Sequence, residues 1–147
     1  MTFRTRKSSL KATLFGVVIA AISAAGSANA APTVSVTVLG VKAQQGFVMI
    51  ALYDEKGWTG ASLARIKTPA RGDTVTAVLA APVPGRYGIK MFQDLNSNGE
   101  LDTNIVGIPT EPIGFSNDAP VHFGPPEFAA AAFDIGASGA VQTITLN

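Results

Sequence analysis

Phe47-Val48-Met49-Ile50-Ala51-Leu52-Tyr53 is apolar at every position, is preceded by Gly46 and stops at Asp54. A helix of a globular domain takes about ten residues or more, so a run of this length between turn residues reads as a strand. Apolar side chains on both faces place that strand in the middle of a sheet. On the N-terminal side, Val34, Val36 and Val38 alternate with Ser35 and Thr37, the period of a half-buried strand. On the C-terminal side, Asp54–Gly60 reads as a loop, and Ser62 to Ile66 fits either one helical turn or a short edge segment. Thr74–Leu79 alternates as a strand and Pro82, Pro84 and Gly85 make a turn. Arg86–Gln93 follows as a further strand with Tyr87, Ile89 and Met91 on one face. Residues 94–126 are rich in Asn, Gly, Pro and Asp and lack a regular period. Strand character returns at Ala131–Ile135 and more clearly at Ala140–Leu146, and Pro125-Pro126-Glu127-Phe128 suits the first turn of a helix.

The sum is six to eight short strands, about seven, with no long amphipathic helix. The fold class is therefore all-β, an antiparallel sandwich of immunoglobulin-like or transthyretin-like kind, with a closed barrel as the rival. There is no internal repeat.

The chain of 147 residues begins unlike the rest of itself. Arg4, Arg6, Lys7 and Lys11 precede an apolar core, Leu14–Ile22, and small residues ending in Ala28-Asn29-Ala30. A basic head, a short apolar core and an A-x-A end form a secretory signal peptide, with cleavage expected after Ala30. The core is far shorter than the roughly 20 apolar residues of a spanning helix, so no membrane anchor is expected after cleavage. The expected products are a signal peptide, 1–30, and a single domain, 31–147, periplasmic or extracellular. Four of the 11 basic residues and none of the 10 acidic ones lie in residues 1–30, which leaves 7 against 10 and a net charge of −3. No Lys/Arg cluster remains, which argues against nucleic acid as a partner. The absence of cysteine excludes disulfides, thiol catalysis and a lipidated cysteine.

Asp94-Leu95-Asn96-Ser97-Asn98-Gly99-Glu100-Leu101-Asp102 carries the most specific chemistry. Oxygen side chains fall at loop positions 1, 3, 5 and 9, with glycine at 6. Calcium takes about six to eight oxygen ligands, and this spacing turns Asp94, Asn96 and Asn98 toward one centre, with the Glu100 carbonyl and Asp102 completing the set. The loop departs from the full helix–loop–helix pattern, because position 12 is Ile105 instead of a bidentate Glu and the flanks read as strand and loop. Asn104, Asn117 and Asp118 are candidates for the missing ligand. The rival reading is a turn in which Asn and Asp bond their own backbone.

Pro84-Gly85-Arg86-Tyr87 running into Met91–Asp102, with Gly107-Ile108-Pro109, Gly114-Phe115-Ser116-Asn117 and Gly124-Pro125-Pro126-Glu127-Phe128, resembles the bacterial family known as domain of unknown function 2141. The resemblance spans most of residues 31–147 and implies an exported bacterial β-sandwich of no established activity. The loop alone also resembles calcium loops in repeat domains of bacterial surface proteins.

No catalytic constellation stands out. His122 is the only histidine, no G-x-S-x-G elbow exists, and no two carboxylates are set apart as a pair. Trp58, between Gly57 and Gly60, is expected to fold back over the sandwich edge; exposed, it would be a stacking platform for a sugar or a partner. Phe115, Phe123 and Phe128 are expected to pin the long loop to the core. The leading expectation is a calcium-stabilised binding or accessory module for an unidentified protein or small-molecule ligand. A small-molecule or carbohydrate site at Trp58 or residues 107–128 is the alternative, and a hydrolase the third reading.

Overall fold

The computed structural model describes residues 30–147, so the expected signal peptide lies, except for Ala30, outside the described residues. Two sheets form a sandwich. The first holds β1 (Thr33–Leu39), β4 (Val75–Ala80) and β8 (Ala140–Thr145) in the order β4-β1-β8. The second holds β2 (Phe47–Tyr53), β3 (Ala64–Pro69), β5 (Gly85–Asp94) and β6 (Ile113–Phe115) in the order β3-β2-β5-β6, and β7 (Phe133–Ile135) pairs the start of β5. A single helical turn, α1, spans Phe128–Ala131.

The pairing is antiparallel except between β1 and β8, which run parallel. The last strand therefore enters the first sheet beside the first strand, a connection that no local turn signal encodes. The undecided segment after Ser62 is an edge strand, β3, its exposed Arg65 and Lys67 alternating with half-buried Ala64 and Ile66. Charges on an edge are what keep it from pairing with other chains.

The core lies between the sheets. Val34, Val36 and Val38 of β1 with Val75, Ala77 and Leu79 of β4 face Val48, Ile50 and Leu52 of β2 with Tyr87, Ile89 and Met91 of β5. Period-two alternation puts each set on one face of its strand. The other face of the second sheet is not bare, and there the functional candidates gather. Its register sets Phe47 opposite Asp94, Met49 opposite Phe92, Ala51 opposite Lys90 and Tyr53 opposite Gly88.

Candidate metal loop and the outer face of the second sheet

Asp94 is the last residue of β5, and its side chain is fully buried. A buried carboxylate must be matched by donors. Its Oδ1 accepts the Asn98 N–H at 3.0 Å and its Oδ2 accepts the Gly99 N–H at 2.9 Å. The loop winds around it in steps of two residues. Asn96 Oδ1 accepts from Asn98 N–H at 3.0 Å, and Asn98 Oδ1 accepts from Glu100 N–H at 2.8 Å. Gly99 takes φ +84°, a conformation open to glycine at no steric cost.

The side chains also converge. Asn96 Nδ2 donates to Asp102 Oδ2 at 2.5 Å and Asn98 Nδ2 donates to Asp102 Oδ1 at 3.0 Å. Asp94, Asn96, Asn98 and Asp102 thus stand around one point of the loop. An Asn amide carries an oxygen as well as the NH₂ group. A half-turn of each amide would aim that oxygen, in place of the NH₂, at the Asp102 side of the loop. The Asn98 N–H keeps Asp94 Oδ1 as acceptor through such a turn. The donor set is oxygen only, which suits a hard cation. Among the described residues no three His, Cys, Asp or Glu side chains form a metal group by themselves, so the fit depends on the two Asn oxygens and the Glu100 carbonyl.

The carboxylate that closes the loop is Glu111. It is buried, its Oε1 accepting Leu95 N–H at 2.7 Å and its Oε2 accepting Asp102 N–H at 3.0 Å. One side chain thereby ties together both ends of the loop. The residues considered for a missing ligand have other partners. Asn104 holds the backbone of the next hairpin, Asn117 donates to the Ala130 and Ala132 carbonyls, and Asp118 accepts from Thr145 N–H.

The family model described as "uncharacterized protein conserved in bacteria (DUF2141)" matches residues 36–144. The chain belongs to this family. No curated protein and no solved structure matches it. In this DUF2141 chain the segment Gly114-Phe115-Ser116-Asn117 is a structural knot. Ser116 is fully buried; its Oγ accepts Ile89 N–H at 2.9 Å and donates to the Ala131 carbonyl. It fills the gap on the edge of β5 between β7 and β6, where Ile89 would otherwise lack an acceptor.

Trp58 lies across β5 on the outer face of the DUF2141 domain. It is buried, and a Cβ on Gly88 would stand 2.7 Å from its ring, so glycine is what lets the indole close on the strand. Its ring meets Tyr53, Phe115 and Phe128 at centroid separations of 5.8, 6.3 and 5.6 Å. Its Nε1–H donates to the Pro126 carbonyl at 2.9 Å, which leaves the indole no free edge for a ligand. Lys90 runs beneath, its ammonium 4.4 Å from the Trp58 ring centroid and 4.8 Å from that of Tyr53, and it donates to the Trp58 carbonyl. Burial lowers its pKa from the ordinary lysine value.

Phe115 and Phe128 pin the long loop as expected, but Phe123 does not. It is fully exposed at φ +49°, because the turn at residues 121–125 projects it away from the sheet. His122 beside it is exposed. The two best-formed cavities of the described residues have volumes of about 290 and 250 Å³. Both fall below the usual range of a small-molecule pocket, roughly 300–1,000 Å³.

Proposed function

We propose that this protein is an exported β-sandwich whose Asp94–Asp102 loop takes one calcium ion, and that the ion stiffens a binding or accessory module without entering any reaction. The observation that supports the reading best is the convergence of Asp94, Asn96, Asn98 and Asp102 within a loop whose ends are tied by Glu111. Asp94, Asn96, Asn98 and Asp102 would hold the ion through side-chain oxygens and Glu100 through its carbonyl, with water completing the shell. When bound, calcium would supply charge neutralisation and crosslinking. Low ligand charge puts the affinity at the weak end, on the order of 10⁻⁴–10⁻³ M, which suits a compartment outside the cytoplasm.

Export is supported by the tripartite sequence of residues 1–30. The intact mass of the exported material should correspond to a chain beginning at Ala31; a mass that retains Leu14–Ile22 would sink the claim.

For calcium, the measurement is thermal unfolding in chelator and in millimolar calcium. At ten times the dissociation constant, binding adds about 1.4 kcal/mol. For a domain of this size the midpoint then rises by roughly 5 °C. Asp102→Ala should abolish the rise. Magnesium should give much less of it, since it prefers a tighter octahedral shell. A midpoint indifferent to calcium leaves the loop as a turn and removes the metal from the proposal.

A further inference from the structure

Directly after the metal loop the chain forms a small hairpin closed by a bridge between Thr103 and Pro109. Its tip presents Ile105 fully exposed, Val106 at 72% and Ile108 at 59%. The tip is rigidly built. Asn104 Oδ1 accepts the N–H groups of both Val106 and Ile108 at 3.0 Å, the Asn104 N–H donates to the Ile108 carbonyl at 2.8 Å, and Gly107 N–H donates to the Asn104 carbonyl at 2.9 Å. Three branched aliphatic side chains are thus held outward on a backbone already ordered, which is the form of a preorganised contact.

The charges around this tip have one sign. Residues 91–147 hold seven acidic residues and no Lys or Arg, whereas residues 31–90 hold seven basic and three acidic ones. Glu100 and Asp102 precede the tip and Glu111 follows it. An anionic bilayer would be repelled there, while an apolar surface edged by bases would be attracted.

The same chain carries such a surface. Across the outer face of the second sheet, Lys67, Met49, Phe92 and Ile113 form one rank, and Arg65, Ala51 and Lys90 the next. Met49, Phe92 and Ile113 are only half-buried, and the Lys67 ammonium sits 4.0 Å over the half-buried Phe47 ring. The Trp58 cluster covers the Gly88 end of this face and leaves these ranks open.

We propose that copies of this chain associate head to tail, the Ile105–Ile108 tip of one copy seating on the Met49–Phe92–Ile113 face of the next. Charge decides the orientation. Two tips brought together set acid against acid, and two faces set base against base; only tip on face pairs opposites. A contact between two different patches is heterologous, so it extends into a ring or a chain instead of stopping at a dimer. The proposal does not rest on the calcium reading, and its test is run in chelator.

The test is sedimentation of the exported protein over a range of concentrations. At low salt the mean mass should rise with concentration, and at about 0.5 M salt the rise should be lost. Ile105→Asp with Val106→Asp should abolish the rise, and so should Arg65→Glu with Lys67→Glu. All these positions except Met49's rank are exposed, so each double variant should keep the parent's circular dichroism and melting midpoint. An equimolar mixture of the two variants should form a heterodimer and nothing larger, because each retains one intact half of the contact. The proposal is overturned by a parent that stays monomeric, by either variant associating like the parent, by a mixture that stays monomeric, or by flotation of the parent, but not of the tip variant, with phosphatidylcholine or phosphatidylserine vesicles.

Discussion

Trp58→Ala should lower the stability of the domain by about 4 kcal/mol, within the usual range for deleting a buried Trp or Phe. The indole packs against Tyr53, Phe115 and Phe128, and its removal leaves a void that Gly88, having no side chain, cannot fill. It also leaves the Pro126 carbonyl without the donor it has now and strips Lys90 of one of its two ring contacts. A domain of this size has roughly 5–15 kcal/mol in total, so the loss is a large fraction. Urea unfolding followed by circular dichroism reads it as a fall in midpoint at nearly unchanged slope. Trp58→Phe should recover most of the packing and lose about 1 kcal/mol for the missing N–H bond. The experiment separates two roles. An exposed stacking residue would cost about 0.5 kcal/mol or less on truncation, so a small loss would mean that the indole leaves this cluster in solution.

The strands that carry the core were legible because their pattern is local. Phe47–Tyr53 and Arg86–Gln93 are long, nearly continuous apolar runs between turn residues, and each pairs on both sides. Shorter elements were not. Ile113–Phe115 is three residues inside a Pro/Gly-rich stretch, too short to show a period, and it is a strand only because β5 offers an edge to it. Ser62–Ile66 was ambiguous because an edge strand exposed on one face carries charged residues where a central strand carries apolar ones. For Trp58 there was a signal. Gly88 interrupts an otherwise regular strand pattern, and a glycine in that position marks the close approach of another group. The metal loop was read from spacing, and its internal hydrogen bonds follow that spacing. Glu111 was missed for a physical reason. The acid of a helix–loop–helix site is encoded at position 12 because a helix follows it. Here the chain leaves β5, makes the Ile105 hairpin and returns as β6, so the acid arrives at position 18 counted from Asp94. Its placement depends on sheet pairing, which local spacing does not record.

That placement makes Glu111→Ala the second costly substitution. Both carboxylate oxygens accept backbone N–H groups, those of Leu95 and Asp102, and the side chain is 6% exposed. Bonds to a charged acceptor contribute about 1.5–3 kcal/mol each, and an amide left unpaired adds its own desolvation cost. The loop sits at the surface, where water can replace part of what is lost, so the expected net cost is about 3 kcal/mol. Glu111→Gln keeps one acceptor oxygen but turns an NH₂ toward the other N–H, and should recover about half of it. Hydrogen exchange locates the effect. In the alanine variant the amides of Leu95 and Asp102 should lose protection first, followed by those of Asn98 and Gly99, whose acceptor Asp94 is held under the loop. The β1 and β2 amides should slow or quicken only with global stability. If the variant unfolds within about 0.5 kcal/mol of the parent, as a surface change would, then Glu111 does not clamp the loop. If stability falls as expected and the calcium response falls with it, the position of Asp102 depends on a residue nine places further along the chain. The loop would then be a site completed by the return of β6 and not a segment able to bind on its own.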